Sequence, residues 1–192
     1  MRNRASRARS LLAGVYRGVR NLPDRLLHSR RHFAVRERLS KASRPRRVIV
    51  VCHGNICRSP YLQAVLQREL PDVSVTSAGF FGSDRPVPPI AVALAAKRGV
   101  NLAQYRSRPV THAKLHEADL VIVMDNEQAN QVARMFTVAR NRIVIAGDLD
   151  PVFESSRSIR DPWNQSVDVF KSSFARLDRC ASTMISVLAP KT

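Results

Sequence analysis

The sequence predicts an α/β fold in which a four-stranded parallel sheet carries helices on both of its faces. Short apolar runs rich in β-branched residues alternate with longer segments whose apolar residues recur at helical spacing. Strands that alternate with helices are joined by right-handed crossovers, which make the strands parallel and lay the helices over the sheet. A chain of 192 residues, 44% of them apolar, is long enough to bury such a core.

The predicted elements follow one another in a regular order. Residues 48–51 are an apolar run typical of a strand buried on both faces. Ser59 and Pro60 provide a helix start, and the apolar residues of 61–70 form one stripe. The remaining elements are a strand over 73–77 that ends at Ala78 and Gly79, a helix over 89–98 stopped by Gly99, a strand over 120–124, a helix over 127–136, a strand over 143–145 and a helix over 167–188.

Positive charge is concentrated in the N-terminal quarter of the chain. Of the formal net charge of +17, +13 falls on residues 1–47, which hold fifteen Lys and Arg residues and only two acidic ones. The sequence therefore divides into a basic N-terminal arm, residues 1–45, and a mildly basic domain, residues 46–192.

The arm itself has a partial helical pattern. Apolar residues between positions 11 and 22 fall at helical spacing with arginines between them, and residues 21–24 break the pattern. The arm is predicted to be either a flexible, solvated tail or an amphipathic helix in contact with anionic lipid headgroups. An organelle transit peptide would have a similar Arg- and Ser-rich composition.

Cysteine usage and hydropathy exclude several classes of protein. Three cysteines argue against a disulfide framework and fit a reducing cytosol. The cysteines have no CxxC pair and no nearby His at ligand spacing, so zinc is not expected. No other cofactor is expected either. No apolar run approaches the roughly 18 residues of a spanning helix. Nucleic acid is not favoured as a partner, because only the charge of the arm would support it.

The loop after the first strand, CHGNICRS over residues 52–59, carries the candidate chemistry. Ligands of parallel sheets bind beyond the carboxyl ends of the strands. A loop that enters a helix there turns its free N–H groups around a tetrahedral oxyanion. The candidate phosphate-binding residues are His53, Gly54, Asn55, Ile56, Cys57, Arg58 and Ser59.

Individual residues of the loop suit phosphoryl transfer. Gly54 and Asn55 tolerate the left-handed backbone of an inward-curling loop. The fork of Arg58 can grip two phosphate oxygens. Cys52 is expected to be a thiolate and a nucleophile, with the Ser59 hydroxyl as its hydrogen-bond donor. The strand, the loop and the Ser-Pro helix start together favour this interpretation over a buried structural cysteine and a solvated arginine.

VCHGNICRSP resembles the signature of the low-molecular-weight protein tyrosine phosphatases, in which Cys-x5-Arg-Ser forms the phosphate loop. The resemblance extends over about residues 46–190 and implies the α/β fold described above. Further matches in the same order are Thr76-Ser77-Ala78-Gly79, Asp84-Arg85-Pro86, the run ADLVIVMD over residues 118–125, and Asp161-Pro162-Trp163.

The resemblance implies a complete set of catalytic roles. Cys52 would attack phosphorus and form a phosphocysteine, and Arg58 with the loop amides would hold the phosphoryl oxygens. Asp161 would protonate the leaving phenolate and then deprotonate the hydrolytic water. Without the resemblance, an Asp before a Pro would be interpreted as a turn former.

The resemblance also implies supporting and lining residues. The phosphate loop would be held by Asn55, Ser59 and Ser77. Trp163 would form one wall of the slot for the aromatic ring, with ordinary packing as its alternative. Phe80 and Phe81 are the candidates for the opposite wall.

Some positions depart from the family's pattern. Tyr105 stands where a His often joins the hydrogen bonds that support the loop, and Gln63 stands where many members have Glu. His53, directly after the nucleophile, is unusual and is expected to point outward. Cys57 would be able to form a reversible disulfide with Cys52, whereas Cys180 is expected only to pack.

Other functions occur on the same fold, so the site residues must discriminate among them. Arsenate reductases need two further cysteines downstream, and residues 58–179 contain none. Protein-arginine phosphatases have Thr at the position of Ile56, which therefore favours phosphotyrosine. A catalytically silent phosphate-binding module would lack Cys52, Arg58 or Asp161, all of which are present.

The resemblance implies a phosphotyrosine protein as the partner. Bacterial members of the family often act on membrane-associated tyrosine kinases that govern exopolysaccharide production. The expected location is the cytoplasm, at the inner face of the membrane if the arm binds anionic lipid.

Overall fold

The computed structural model describes residues 22–189 and contains one four-stranded sheet. Its strands are β1 (Arg47–Cys52), β2 (Ser74–Gly79), β3 (Leu120–Val123) and β4 (Ile143–Ile145). All three strand pairs are parallel, and the strand order is β2-β1-β3-β4. The predicted parallel α/β fold is confirmed.

Six α-helices accompany the strands in the described part of the chain: α1 (Leu22–Lys41), α2 (Arg58–Glu69), α3 (Pro89–Ala96), α4 (His112–Glu117), α5 (Asn126–Met135) and α6 (Val167–Leu188). Two 3-10 turns, Arg140–Arg142 and Ala146–Leu149, flank β4. None of these helices is long and apolar enough to cross a membrane.

Alternation along the buried strands divides the core into two clusters. In β1, Val48 and Val50 face one side of the sheet, where they pack with α1, α2, α3 and α6. Ile49 and Val51 face the other side, where they pack with α4 and α5. Both faces are therefore covered, which explains the continuous apolar runs of β1, β3 and β4.

Helix α1 lies in the segment that the sequence analysis assigns to the arm. Pro23 and Asp24 occupy its first turn, where proline is tolerated and an acidic side chain interacts favourably with the helix dipole. Val35 and Leu39 join the first core cluster, so α1 packs against α6 and the 3-10 turn at Ala146–Leu149. The rest of the helical pattern in the arm, upstream of Leu22, lies outside the described residues.

Helix α4 is the other helix that the sequence analysis does not predict. It has only six residues, and only one of them, Leu115, is buried. One apolar anchor produces no periodic stripe, so hydrophobic spacing could not reveal this helix. The N-cap Thr111, which accepts a hydrogen bond from Lys114 N, was the available signal.

The strand order places the candidate loop at a switch point of the sheet. From β1 the chain crosses to β2 on one side, and later returns to β3 on the other side of β1. The connections that leave the carboxyl ends of β1 and β3 therefore diverge and open a crevice between them. The loop over residues 52–59 begins at this crevice.

Candidate active site

Cys52 ends β1 and lies at the bottom of the loop, 2% exposed. Asn55 N donates a hydrogen bond to its Sγ at 3.3 Å, and the Ser59 Oγ lies 3.0 Å from the same sulfur. A hydroxyl and an amide N–H that converge on a sulfur stabilise its ionised form. The structure thus places the Ser59 hydroxyl within hydrogen-bond distance of Cys52, where the sequence analysis expects a donor.

Asn55 organises the loop from within. Its φ of 50° is left-handed, and its side chain is fully buried. The Nδ2 group donates to Ser59 Oγ at 2.9 Å and to Ser77 Oγ at 3.0 Å. The Oδ1 atom accepts from the Tyr105 hydroxyl and from Arg108 N, each at 2.8 Å. Every donor and acceptor of the amide is used, so a side chain of another type would leave buried partners unsatisfied.

Gly79, at the end of β2, allows this arrangement. A Cβ atom at position 79 would lie 2.8 Å from the backbone nitrogen of Asn55 and 2.9 Å from the carbonyl oxygen of His53. Only glycine therefore lets the end of β2 approach the loop this closely.

Two departures from the family's pattern lie in one hydrogen-bond chain. Ser77 Oγ donates to Gln63 Oε1 at 2.7 Å and lies 2.7 Å from the Tyr105 hydroxyl, which in turn donates to Asn55. Burial raises the pKa of Tyr105, although its hydrogen bonds with Ser77 and Asn55 oppose the increase. The hydroxyl therefore stays protonated, and a neutral Tyr and Gln support the loop.

Arg58 begins α2 and faces the loop. It is 3% exposed, its Nη1 donates to Ile159 O at 3.0 Å, and its Nη2 pairs with the Asp161 carboxylate. The Nε atom is buried and has no acceptor among residues 22–189. An unsatisfied buried donor is unfavourable, and a phosphoryl oxygen in the loop would satisfy it.

The N-terminus of α2 adds to this positive environment. In the part of the chain that the structure describes, the N-cap residue Cys57 makes no side-chain capping bond, so no cap competes with a ligand for the first N–H groups of the helix. Free amides and the helix dipole together favour an anion at this position.

Asp161 reaches the loop from a segment about a hundred residues away. Its Oδ1 accepts from Trp163 N at 3.1 Å, and its other oxygen pairs with Arg58. The side chain is 43% exposed, which leaves it accessible from the mouth of the pocket. The structure brings the three predicted catalytic residues, Cys52, Arg58 and Asp161, to one cavity.

The cavity has a volume of about 160 Å³, and aromatic side chains form its rim. Trp163 and Phe81 line it, and the exposed His53 ring stacks on Phe81 with the centroids 5.9 Å apart. Phe80 is placed elsewhere: it packs in the second core cluster beside Phe136. Of the two candidates for the second wall, the structure brings only Phe81 to the cavity.

Arg85 is a lining residue to which the sequence analysis assigned no role. Its Nη2 donates to Gly54 O at 2.8 Å and to Phe81 O at 2.9 Å, and its guanidinium lies 5.5 Å from the Phe81 ring centroid. The residue appeared in the sequence only as part of Asp84-Arg85-Pro86, and no local pattern showed that it would reach the loop.

The two other cysteines differ in their surroundings. Cys57 lines the same cavity as Cys52, and burial raises the pKa of its thiol to about 12, so it is protonated at neutral pH. Cys180 is buried among the apolar residues of α6, where burial also raises its pKa.

Within the described residues, no group of three or more His, Cys, Asp or Glu side chains is arranged to hold a metal ion.

Comparison with known proteins gives a consistent result. The sequence model described as low molecular weight phosphotyrosine protein phosphatase matches residues 47–191. The probable low molecular weight protein-tyrosine-phosphatase EpsP of Ralstonia nicotianae is 32% identical over 133 residues, which cover 69% of this chain and 88% of that protein.

Solved structures of two kinds share the fold. The tyrosine phosphatase AmsI of Erwinia amylovora superimposes with a TM-score of 0.72 at 26% identity, covering 78% of this chain and 97% of its own. The YwlE arginine phosphatase superimposes with a TM-score of 0.65 at 25% identity, covering 73% of this chain and 93% of its own. With its family match over residues 47–191 and its phosphate loop, the chain belongs to the low molecular weight phosphotyrosine protein phosphatase family.

Proposed function

We propose that this protein hydrolyses phosphotyrosine in proteins through a covalent phosphocysteine on Cys52. The observation that carries the proposal is the convergence of Cys52, Arg58 and Asp161 on one cavity. Residues 46–192 would form the phosphatase domain, and residues 1–45 a basic arm whose described part, α1, docks on it.

In the first step the Cys52 thiolate attacks phosphorus and the bond to the tyrosine oxygen breaks. The loop amides and Arg58 hold the three non-bridging oxygens, so charge that redistributes in the transition state is already matched by donors. The incoming phosphoryl group forms hydrogen bonds with Arg58 and displaces Asp161 from its ion pair with that arginine. Asp161, released from this ion pair, takes up a proton from solvent and donates it to the leaving phenolate oxygen as the P–O bond breaks.

In the second step water hydrolyses the phosphocysteine. Asp161, now a carboxylate, accepts a proton from the water as its oxygen attacks phosphorus. Cys52 leaves as a thiolate, stabilised by the Asn55 N–H and the Ser59 hydroxyl, and inorganic phosphate departs. The positive field of the loop stabilises the charge on the phosphoryl oxygens, as a metal ion does in other phosphatases.

Phosphotyrosine is favoured over phosphoarginine as the substrate for two reasons. Trp163 and Phe81 present aromatic rings at the rim of the cavity, where a phenyl ring can stack. Ile56 also lines the cavity. The resemblance to protein-arginine phosphatases implies a Thr at this position, so Ile favours phosphotyrosine.

This proposal predicts a metal-independent activity that depends on Asp161. In the presence of EDTA, kcat/KM for a phosphotyrosine peptide should exceed that for the matched phosphoarginine peptide. Asp161→Asn should reduce the phosphotyrosine value by about 10²–10⁴-fold, because the leaving phenolate then departs unprotonated. Steady-state phosphate release measures both. A preference for phosphoarginine would identify the other substrate class, and an unchanged rate in Asp161→Asn would exclude this residue as the acid.

The proposed substrate is a bacterial tyrosine kinase at the membrane. The exposed side of α1 is the surface proposed to contact the bilayer there. Leu22, Leu26 and Phe33 are 48%, 72% and 67% exposed, and at 100° per residue they lie along one side of the helix. Exposed arginines flank this apolar ridge, and residues 1–21 add six more arginines and no acidic residue. An apolar ridge with flanking arginines suits the interface of an anionic bilayer, where each basic residue contributes about 1 kcal/mol. The protein would then act in the cytoplasm, at the inner face of the membrane.

Vesicle cosedimentation of the full chain tests this surface. We expect binding to phosphatidylglycerol-containing vesicles, weaker binding at high salt, and little binding to phosphatidylcholine alone. The double variant Leu26→Ser/Phe33→Ser should lose most of the binding, whereas Met135→Ser, a change at an equally exposed apolar residue of α5, should not. Equal binding by the double variant and the wild type would contradict a role for the ridge.

A further inference from the structure

The inner face of α1 contacts the segment that leads to Asp161. The carboxylate of Asp24 accepts hydrogen bonds from the Ser156 hydroxyl and from Arg157 N, each at 3.2 Å. Arg31, about two helical turns further along α1, donates to the same carboxylate at 2.6 Å. Burial alone would raise the pKa of Asp24, but the hydrogen bonds from Arg31, Arg157 and Ser156 outweigh it and hold the pKa below its usual value. Asp24 is therefore an ionised anchor for residues 156 and 157.

Two histidines of α1 extend the contact along the same segment. The His28 ring meets Phe153 edge-on, with the centroids 5.4 Å apart. His32 Nδ1 lies 3.1 Å from Asp148 O, and the Asp148 carboxylate accepts from Arg157 Nε at 3.1 Å. Helix α1 therefore contacts both ends of the chain between Asp148 and Arg157.

The anchored residues have little freedom on their other side. The carbonyl oxygen of Arg157 packs so closely on Gly147 that a Cβ atom there would lie 1.8 Å from it. Arg176 of α6 donates to Ser156 O at 2.6 Å and to Ser158 O at 2.8 Å. Residues 156–158 are thus held between α1, the 3-10 turn Ala146–Leu149 and α6.

Only a few residues separate this anchor from the reacting groups. Ile159 N donates to Met124 O at 2.8 Å, and Ile159 O accepts from Arg58. Asp161 follows two residues later and pairs with the same arginine. Arg157 and Asp161 are only four positions apart, so the contacts of Asp24 with residues 156 and 157 and the hydrogen bonds of Ile159 together define the path of the backbone to Asp161.

We infer that Asp24 is a positioning residue for Asp161: by holding Ser156 and Arg157, α1 sets the place from which Asp161 donates its proton. The inference rests on the proposed role of Asp161 as the acid. Proton transfer requires the acid within about 2.6–3.2 Å of the leaving oxygen, so a loosened segment lowers the fraction of productive complexes. Attack by Cys52 is linked to this segment only through the hydrogen bond from Arg58 to Ile159 O, and Ile159 is held separately by Met124 O. The family match begins at residue 47, so Asp24 lies outside the matched region.

A comparison of leaving groups distinguishes positioning of the acid from a general loss of structure. Dinitrophenolate departs without a proton, whereas phenolate from phenyl phosphate needs one. In the full-length chain, Asp24→Ala should lower kcat/KM for phenyl phosphate by about 10-fold, a fraction of the full contribution of a general acid. It should change kcat/KM for 2,4-dinitrophenyl phosphate by less than about 2-fold, because the attack itself is unaffected.

Matched variants complete the test. Glu37→Ala removes an exposed carboxylate of the same helix whose ion pair within residues 22–189 is with Lys41, and it should leave the activity towards both substrates unchanged. Asp24→Asn keeps an oxygen acceptor for Ser156 and Arg157, so it should recover most of the phenyl phosphate activity. Ser156→Ala, which removes one donor to Asp24, should reproduce part of the loss if Asp24→Ala folds poorly.

A double variant gives the decisive result. Added to Asp161→Asn, Asp24→Ala should cause no further loss, because its effect acts through Asp161. Additive losses, or equal losses for both leaving groups, would overturn the inference and leave α1 with a structural role. If Asp161→Asn itself responds equally to both leaving groups, the proposed acid is wrong and the inference falls with it, an outcome distinct from failure of Asp24 alone.

Discussion

Cys52→Ser should abolish turnover while the phosphate site remains intact. We expect kcat for a phosphotyrosine peptide to fall by at least about 10⁴-fold, as for other enzymes that lose a covalent nucleophile. The Ser hydroxyl would occupy nearly the same place between Asn55 N and Ser59 Oγ, so the loop should keep its shape. It would fail as a nucleophile because it is not ionised at neutral pH and no base activates it: the neighbouring His53 ring stacks outward on Phe81.

The matched control is the other cysteine of the loop. Cys57 lines the cavity as a protonated thiol, and its pKa of about 12 makes it a poor nucleophile at neutral pH. Cys57→Ser should therefore retain substantial activity. Calorimetric titration with inorganic phosphate should show binding to all three proteins, and rapid quenching during turnover should trap a phosphocysteine on Cys52 in the wild type and in Cys57→Ser. Any label in Cys52→Ser should lie at position 52 and should not turn over. Label at a different position in Cys52→Ser, or the absence of label in Cys57→Ser alone, would place the nucleophile elsewhere.

Of the substitutions considered in this protein, Asp150→Ala should cause the largest decrease in the free energy of unfolding. The Asp150 carboxylate is completely buried and accepts from Arg176 Nε at 3.0 Å and from Arg179 Nε and Nη2 at 2.8 Å each. Removing it leaves two guanidinium groups of α6 without their main partner, one of them only 5% exposed. Breaking a buried ion pair in this way costs about 3–5 kcal/mol of unfolding free energy. Chemical denaturation should show this decrease.

Glu154→Ala is the control for the same arginine. Glu154 also pairs with Arg179, at 2.5 Å, but its side chain is 41% exposed, and exposed pairs contribute about 0–1 kcal/mol. We therefore expect a small loss. Comparable losses in the two variants would show that the burial of Asp150 does not determine its contribution.

The contribution of Asp150 should also depend on pH in a defined direction. Burial alone would raise the pKa of Asp150, but the hydrogen bond from Arg179, that from Val152 N and the charge of Arg176 outweigh it and hold the pKa below its usual value. A lowered pKa in the folded state stabilises the protein fully above the unfolded-state pKa of about 3.9. The stability difference between wild type and Asp150→Ala should therefore be constant at neutral pH and decrease as the pH falls through the folded-state pKa.

Local patterns predicted most of the fold because its strands and longer helices are regular. The strand Ile143–Ile145 and the helix Val167–Leu188 have the predicted bounds, and the other predicted elements differ by a few residues at their ends. For α4 the apolar signal was a single residue. For α1 the mean hydropathy was low, because Val35 and Leu39 are surrounded by arginines, and the sequence could not show that these two residues meet the core.

The sequence by itself determined the identity of the reacting loop, because a contiguous strand, Gly-Asn turn, arginine and helix start specify an anion site through local geometry alone. Only the tertiary structure decided which distant groups reach that loop. Asp161 meets Arg58 across 103 positions of sequence, and Tyr105 meets Asn55 across 50. Phe81 rather than Phe80 turns to the cavity, and Asp24 anchors a segment more than 130 residues away. Such contacts depend on how separate elements pack, and no periodicity within one element encodes that packing.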